Sequence, residues 1–466
     1  MKVVLIYPGE FSTSDIEGEE FKLLQKYHMP LGILYVGQVL LDEGHKVILY
    51  DHNITGSSIK SILDWLQKVN PDVLGFTVLS ANLPTCNIIA RRMKEWNPNV
   101  VIVYGGYAAT FCARDIIQHY NDVDFCVRGE GELTITDLLD TLEQDKPLSD
   151  VLGITYKDDG RIVETPDRPL IEDLDTIHIP NRKLSRQSYE YSGKSTTIIS
   201  SRGCPYQCRF CSCRTFARDR WRLRSIKNLI EELLYLQDAG FKELLYTDDC
   251  FNANAKRTLK FCHQMKMEKL DFVWHAVGRI NQSDTRFLRT LVKAGCKSLV
   301  YGIESANQRI LDYYAKKTTP SMAITAIKNS KKAGLDYIGA GFIIGAPTET
   351  RKEVINTIRF GLELQKYGLT TSQFQILYVS PGTDLYREFL RKGYINHEKD
   401  WCKELPVADI VPNSLSRKFL ETAAKIGFKE FVSNRRYMIS QFLKSAGNLY
   451  RLRVVYHFLQ RKNLDF

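Results

Sequence analysis

Three cysteines in one short loop are the residues of this 466-residue chain whose spacing indicates chemistry most directly. Cys204, Cys208 and Cys211 follow a C-x3-C-x2-C pattern, close enough for one loop to wrap one metal centre. Thiolates favour iron–sulfur clusters or zinc. A structural zinc site has four ligands, usually including a second Cys/His pair, and no such pair follows, although Cys213 offers a fourth sulfur. Three ligands suit a [4Fe–4S] cluster with one open iron, which can bind a substrate or cofactor.

The cysteine loop follows the first strand of a region in which predicted strands and helices alternate. The predicted strands are Thr196–Ser200, Glu243–Thr247, Phe272–Val277, Ser298–Ile303, Gly339–Ile344 and Gln373–Val379. The predicted helices include Ile226–Ala239, Ala255–Met267, Asp284–Ala294, Ser321–Ala333 and Thr350–Tyr367. Six such units predict an α/β fold with a partial, TIM-like (β/α)6 barrel. Its chemistry is expected at the C-terminal strand ends, where the cysteine loop lies.

This loop resembles the signature of the radical SAM superfamily, in which an aromatic residue, here Phe210, precedes the last cysteine. Later strand ends also match: Tyr301–Ser305 resembles the GIES stretch near the ribose of S-adenosylmethionine (SAM), and Gly341–Pro347 resembles the G-x-I-x-G-x-P stretch beside adenine. The resemblance implies that the three cysteines hold a [4Fe–4S] cluster whose open iron is chelated by SAM. The SAM contacts that it implies are Phe210, Asp248, Arg279, Gly302, Glu304, Ser305, Ile343 and Gly345. It assigns no catalytic side chain.

These residue types suit the parts of SAM. Glu304 and Ser305 can hydrogen-bond a ribose diol, and Arg279 can pair with the SAM carboxylate through charge-assisted bonds. Glycines and Ile343 offer a flat adenine an apolar wall of little bulk. The alternative for Asp248 and Glu304 is a structural hydrogen-bonding role.

The N-terminal third also alternates apolar runs with amphipathic segments. The predicted strands are Val3–Tyr7, Lys46–Tyr50, Val73–Leu79, Val100–Tyr104 and Phe125–Arg128, with helices such as Gly32–Asp42 and Ile88–Glu95 between them. This pattern predicts a Rossmann-like, doubly wound parallel sheet, whose ligands bind at the carboxyl ends of the strands. The candidate ligand contacts at these ends are Ser80, Gly105, Gly106, Gly129 and Glu130.

This arrangement resembles the cobalamin-binding domain that precedes many radical SAM domains, and Arg128–Glu132 matches a sequence common in that group. The resemblance implies that these five residues contact cobalamin. Family members that ligate cobalt through histidine carry D-x-H-x-x-G. Here His52 stands one place too early after Asp51, and a one-residue shift in an extended segment reverses the side chain's face. His52 is therefore not assigned as a cobalt ligand. The alternative is a Rossmann-like domain without a cofactor.

The chain divides into four regions by pattern and composition. We expect a cobalamin-binding domain at 1–147, a hairpin and linker at 148–193, a radical SAM barrel at 194–390 and a basic helical region at 391–466. Asp159-Gly160 is typical of a hairpin turn. The sequence predicts no signal peptide and no membrane-length apolar run, and eleven cysteines without a disulfide pattern favour a reducing cytoplasm.

The C-terminal region is strongly basic. From Ser414 onwards it has eleven basic and three acidic residues, within a net charge of +10 for the whole chain. Three interpretations remain open: a solvated helical cap over the barrel, a surface for anionic lipids at the membrane periphery, and nucleic-acid binding. The last has the least support, because no RNA-binding module is recognisable.

The resemblance as a whole implies a cobalamin-dependent radical SAM enzyme. Such an enzyme cleaves SAM to a 5′-deoxyadenosyl radical and modifies an unactivated carbon, and methyl transfer is the favoured reaction. The alternatives are cyclisation or rearrangement without methyl transfer, methylthiolation of tRNA or protein, and a metal-stabilised nucleic-acid-binding protein. The expected partners are a small-molecule substrate, including lipids or natural-product scaffolds, and an electron donor such as flavodoxin or ferredoxin.

Overall fold

The N-terminal part of the protein is built on a seven-stranded sheet. The computed structural model describes residues 1–8, 29–52, 58–184, 195–412, 414–434 and 439. The strands are β1 (Lys2–Tyr7), β2 (Lys46–Asp51), β3 (Val73–Thr77), β4 (Val101–Gly105), β5 (Phe125–Val127), β6 (Ile154–Asp158) and β7 (Arg161–Glu164). Their order is β2-β1-β3-β4-β5-β6-β7, and the first five are parallel. The order in which the chain adds strands changes sides at β1: β2 lies on one side of it, whereas β3, β4 and β5 follow on the other. Ligands of doubly wound sheets bind at this point, between β1 and β3.

Helices cover both faces of this sheet. They are α1 (Leu31–Asp42), α2 (Ile59–Val69), α3 (Leu83–Trp96), α4 (Tyr107–Phe111), α5 (Ala113–His119) and α6 (Glu132–Glu143). Two apolar clusters, one on each side of the sheet, form the core. The predicted hairpin is confirmed, since β6 and β7 pair antiparallel around Asp159 and Gly160.

The second sheet has six parallel strands in sequential order. They are β8 (Ser195–Ile198), β11 (Glu243–Tyr246), β12 (Val273–Gly278), β13 (Cys296–Glu304), β14 (Tyr337–Ile344) and β15 (Thr371–Ile376). A two-stranded ribbon, β9 (Ser201–Arg202) with β10 (Arg222–Leu223), lies between β8 and β11 in the chain. A second ribbon pairs β16 (Tyr378–Val379) with β17 (Leu405–Pro406). Within the described residues β8 and β15 do not pair, so the barrel is open, as the sequence predicts.

Helices between the strands pack on the outer face of this sheet, and others lie at the cysteine loop or after β16. They are α7 (Cys213–Phe216), α8 (Ile226–Asp238), α9 (Ala255–Met267), α10 (Thr285–Lys293), α11 (Gln308–Tyr313), α12 (Pro320–Ala333), α13 (Arg351–Leu364), α14 (Asp384–Arg391), α15 (His397–Asp400), α16 (Val407–Ile410) and α17 (Arg417–Ser433). Strand β12 shows the two faces: Trp274 and Ala276 are buried towards the helices, whereas Val273 and Val277 are exposed. The concave face is therefore accessible.

A buried ion cluster fastens the linker to the barrel. Glu232 of α8 binds both Arg182 of the linker, at 2.6 Å, and Arg224. All three side chains are almost completely buried. Since the cluster joins the linker to a barrel helix, it fixes the route of the chain between the two sheets.

The predicted elements are present, with shifted ends. Helix α3 begins at Leu83, five residues before the predicted start, because Pro84 occupies its first turn. The last predicted strand is two strands, β15 and β16, separated by Leu377. The basic segment from Ser414 onwards contains a helix, α17, as predicted, while 435–438 and 440–466 lie outside the described residues. No helix of the described residues is long and apolar enough for a bilayer crossing.

Candidate active site

The loop that carries the cysteines is closed at its base by the β9–β10 ribbon. Arg202 and Arg222 are paired in this ribbon, so residues 203–221 form a closed loop that follows β8 in the chain. Gly203 has φ +83°, and a Cβ there would overlap the carbonyl oxygen of Arg220. Only glycine permits this close approach, which starts the cysteine loop at a fixed angle.

Backbone hydrogen bonds hold the loop on both sides. Arg209, which lies between Cys208 and Cys211, donates its N–H to Tyr314 O at 3.1 Å, and its carbonyl oxygen accepts from Leu385 N at 3.2 Å. The N–H of Cys211 donates to Cys208 O at 3.1 Å. These bonds tie the loop to the ends of α11 and α14, so its shape is set by protein contacts.

The three thiols form a donor set for a cluster. All three are free thiols on one short loop, Cys208 buried and the other two partly exposed. Three thiolates in one loop are a donor set that an iron–sulfur cluster takes.

Neighbouring groups adjust the acidity of these thiols. A hydrogen bond with Cys250 lowers the pKa of Cys204 to about 7, and a hydrogen bond with Cys213 lowers the pKa of Cys211. Burial raises the pKa of Cys208. The same bond to Cys211, together with burial, raises the pKa of the Cys213 thiol. Thiolate is the form that binds metal.

Arg279, at the end of β12, lies against the cysteine loop. Its Nη1 is 3.2 Å from Cys208 Sγ, and its Nη2 donates to the carbonyl of Lys316. Its guanidinium lies 3.9 Å from the centre of the Tyr206 ring, and Asn252 accepts its backbone N–H at 2.8 Å. The structure thus brings Arg279 to the predicted cluster. Its contact with SAM stays a prediction.

Glu304 ends β13 in a strained conformation with a partner that the sequence analysis missed. Its φ is +68°, which is rare for a residue other than glycine and marks candidate functional positions. Lys316 Nζ donates to Glu304 Oε1 at 2.6 Å, and both side chains are buried. The pair lies directly on Gly302, where a Cβ would overlap the carboxylate. A lysine twelve residues downstream, outside any strand, gave no motif signal.

Two predicted SAM residues have structural partners. Asp248 accepts hydrogen bonds from Ser200 N at 3.0 Å, Ser200 Oγ at 2.7 Å and Ser201 Oγ at 2.5 Å, and burial raises its pKa. Ser305 is fully buried, and its hydroxyl accepts from Asn307 N at 3.1 Å. These contacts organise the strand ends, and direct contacts of Asp248 and Ser305 with SAM stay predictions.

A cleft of about 590 Å³ opens beside the cysteine loop. Two predicted SAM residues line it, Phe210 and Ile343, together with Leu377, Tyr378 and residues of α17. Gly345, two residues after Ile343, has φ +92°, and a Cβ there would be 2.6 Å from Leu420 of α17. Helix α17 therefore closes one wall of the cleft.

The carboxyl edge of the first sheet carries the predicted cobalamin contacts. A Cβ at Gly105 would meet nothing closer than the carbonyl of Phe76 at 3.9 Å, so a bulky ligand can approach the backbone there. Gly106 follows with φ +93°. Ser80 lies at the end of β3, with Oγ 3.9 Å from Cys402 Sγ. This edge fits a large cofactor, although the individual contacts stay predictions.

Glu130 has protein partners on both carboxylate oxygens. Arg202 Nη1 and Arg222 Nη2 donate to Oε1 at 2.8 and 2.9 Å, and Arg222 Nη1 and Ile171 N donate to Oε2 at 2.8 and 2.9 Å. The neighbouring Gly129 has φ +75° and lies near Arg218. A contact of Glu130 or Gly129 with cobalamin stays a prediction.

The first sheet's edge and the cysteine loop are in contact. Tyr107, directly after Gly106, donates its hydroxyl to Cys213 Sγ at 3.8 Å, and its ring centre is 4.6 Å from that of Phe216. Phe111 packs against Gly382, after β16. The two predicted cofactor-binding edges therefore face one another across a single interface.

Comparisons with known proteins agree with this geometry. The Radical SAM superfamily model matches residues 198–361, and the B12 binding domain model matches 23–139. A protein of Pyrococcus horikoshii, named an uncharacterised methyltransferase, is 35% identical over 436 residues, covering 93% of this chain and 92% of that protein. The anaerobic magnesium-protoporphyrin IX monomethyl ester cyclase of Rubrivivax gelatinosus is 27% identical over 458 residues, covering 95% of this chain and 80% of that protein.

A solved structure shares the fold. The cobalamin-dependent S-adenosylmethionine radical enzyme OxsB, with aqua-cobalamin and S-adenosylmethionine bound, superposes with a TM-score of 0.71 at 16% identity. The superposition covers 99% of this chain and 71% of OxsB. Because both domain families match in order and a relative is alike over nearly its full length, the chain belongs to the radical SAM superfamily, among the enzymes with an N-terminal B12-binding domain, and its cofactors are a [4Fe–4S] cluster, SAM and cobalamin.

Proposed function

We propose that this protein transfers a methyl group to an unactivated carbon of a small-molecule substrate. The observation that carries the proposal is the contact between the two cofactor-binding edges, where Tyr107 after the first sheet meets Cys213 of the cysteine loop. When bound, the cluster supplies the electron that cleaves SAM, and cobalamin supplies a carrier for the methyl group. Methyl transfer needs both cofactors close to one substrate, and this interface provides that proximity.

Cys204, Cys208 and Cys211 are the proposed cluster ligands. They leave one iron for SAM, and Cys213 is not proposed as a fourth ligand, since its sulfur accepts a hydrogen bond from the Tyr107 hydroxyl. Arg279 is proposed to orient SAM through its carboxylate, since its guanidinium already lies at the cluster loop. The positive charge that would recognise the SAM carboxylate therefore comes from Arg279 at the end of β12.

The cleft beside the loop is the proposed adenosine site. Phe210 and Ile343 supply apolar walls for the adenine, and Gly302 leaves room for the Glu304–Lys316 pair beside β13. Lys316 holds the Glu304 carboxylate in one orientation, so its second oxygen can accept from a ribose hydroxyl. A fixed acceptor costs less to order on binding than a mobile one.

Cobalamin is proposed to bind along Ser80, Gly105 and Gly106. His52 is buried at the end of β2 and is not proposed as a cobalt ligand. The substrate is proposed to enter over the accessible concave face of the barrel, where Val277 is 44% exposed. An apolar exposed strand end suits a small molecule with hydrophobic parts, including lipids and natural-product scaffolds.

Reduction of the cluster requires a one-electron donor, for which we propose a flavodoxin or ferredoxin. Peripheral membrane contact is proposed for the basic segment after Asn434. Helix α17 is not proposed for it, since Leu420, Ala423 and Phe431 are buried against the barrel. A chain truncated after Asn434 should lose sedimentation with phosphatidylserine vesicles. Equal sedimentation of both chains would refute the membrane contact.

The reaction is tested anaerobically. The full chain is loaded with iron, sulfide and cobalamin, reduced, and supplied with SAM and candidate substrates. Methyl transfer predicts both 5′-deoxyadenosine and S-adenosylhomocysteine, with Cys208→Ala as the inactive control. Production of 5′-deoxyadenosine with a modified substrate but no S-adenosylhomocysteine would instead support cyclisation, the second candidate, which the similarity to the Rubrivivax gelatinosus cyclase favours.

A further inference from the structure

The ribbon at the base of the cysteine loop, β9 with β10, brings two positive charges together. Arg202 of β9 and Arg222 of β10 are directly paired, so their side chains leave the same face of the ribbon. Like charges directly opposite one another in a sheet destabilise the pairing. The side chain of Arg222 is only 6% exposed and that of Arg202 is 16% exposed, so water screens their repulsion little. The ribbon needs negative charge from elsewhere to close.

That negative charge comes from the other domain. Glu130 binds both arginines, to Arg222 through two hydrogen bonds of 2.8 and 2.9 Å and to Arg202 through one of 2.8 Å. Glu132 binds the remaining Nη2 of Arg202 at 2.5 Å. Burial opposes ionisation of Glu130, but its bonds to the arginines outweigh it and hold its pKa below the usual value. Two carboxylates therefore balance two guanidinium groups.

We propose that Glu130 and Glu132 are positioning residues for the iron–sulfur cluster. By neutralising Arg202 and Arg222 they keep the ribbon closed, and the closed ribbon fixes the ends of the loop from Gly203 to Trp221. Arg202 stands two residues before Cys204, so an opened ribbon releases the first cluster ligand directly. These four residues form the interdomain clamp, which couples cluster binding in the barrel to docking of the cobalamin-binding domain.

A second ion pair on the same loop provides a matched control. Arg220, two residues before Arg222, pairs with Glu172 at 2.8 Å, but the side chains are 57% and 63% exposed. Exposed pairs contribute little, whereas removing one partner of a buried pair leaves an uncompensated charge. Glu172→Gln therefore removes a carboxylate that pairs with the same loop, without leaving a buried charge.

The test measures release of iron from the full-length, reconstituted protein to excess chelator under anaerobic conditions. The variants are Glu130→Gln, Glu132→Gln, both together, and Glu172→Gln. We expect the double variant to lose iron at least about tenfold faster than the native chain. Its reduced cluster should also show an altered or broadened electron paramagnetic resonance spectrum with SAM. Glu172→Gln should match the native chain in both measurements.

A second pair of variants separates charge balance from general instability. Glu130→Gln combined with Arg222→Gln removes one charge of each sign, so it should lose iron more slowly than Glu130→Gln alone. Native release rates and spectra in a folded Glu130→Gln/Glu132→Gln chain would overturn the proposal. A Glu130→Gln/Arg222→Gln chain that releases iron as fast as Glu130→Gln alone would also overturn it. The failure of both of these variants to fold would overturn it as well. None of these measurements depends on the substrate or on methyl transfer.

Discussion

Glu349 makes the stability of the barrel depend on pH in a predictable direction. It follows β14 and accepts the backbone N–H groups of Gly345, at 2.6 Å, and Ala346, at 3.1 Å, through the same oxygen. Its other oxygen, Oε1, is buried without a partner within the described residues. Burial raises the pKa of Glu349 to about 7, against the opposing effect of the two N–H donors. The folded protein therefore holds a proton there that the unfolded chain has lost.

The sign and size follow from this difference. The pKa in the folded state lies above the ordinary value of 4.5, so the stability that the protonated group provides is complete below pH 4.5 and decreases as pH rises through 7. A shift of about 2.5 units corresponds to about 3 kcal/mol, at about 1.36 kcal/mol per unit. Glu349→Gln keeps an acceptor for the two N–H groups and does not ionise. Its unfolding free energy relative to the native chain should therefore rise by up to about 3 kcal/mol between pH 4.5 and pH 8.

The assay is urea unfolding of the metal-free protein, with native and variant chains compared at each pH from 5 to 8. The control is Glu388→Gln. Burial opposes ionisation of Glu388, but its bonds with Lys392 and Arg209 outweigh burial and lower its pKa, so its contribution should be constant across this range. A Glu349→Gln chain whose stability difference from the native chain is the same at pH 5 and pH 8 would refute the assignment of a buried, protonated carboxyl.

Three further outcomes are expected. Glu232→Gln should lower the unfolding free energy by about 3–5 kcal/mol in urea titrations, because it leaves two buried arginines unpaired; a loss below about 1 kcal/mol would contradict this. Gly105→Val should weaken cobalamin binding at least about tenfold in absorbance titrations while the melting temperature stays the same, since the side chain enters space beside the edge rather than the core. An unchanged affinity would remove Gly105 from the site. Cys208→Ala should abolish the cluster's iron content and Cys213→Ala should preserve it; equal losses would make Cys213 a ligand.

The sequence indicated the elements and the cofactors because these depend on local information. The spacing of Cys204, Cys208 and Cys211 restricts the ligands to one loop, whichever way the rest of the chain folds. Strand and helix periodicity likewise depends on which face of each element is buried. The helix boundaries were less certain: Pro84 starts α3 five residues before the apolar pattern indicates.

The sequence did not indicate the partners of individual polar side chains. Glu130 lies at a strand end beside glycine, where the pattern is the same for a cofactor contact and for an ion pair. Its partners Arg202 and Arg222 are 72 and 92 residues away, on the ribbon of β9 and β10. The sequence likewise did not indicate that Lys316 pairs with Glu304 or that Tyr107 lies next to Cys213.

The sequence alone therefore determined that this chain has two parallel sheets, a three-cysteine loop and a glycine-lined edge. Only the tertiary structure decided that the edge and the loop meet, and that the acidic residues between them balance arginines. The physical reason is that a side chain's type limits which bonds it can make, whereas the relative placement of distant elements selects the partner. A carboxylate at a strand end has the same local sequence whether it contacts a cofactor or pairs with an arginine.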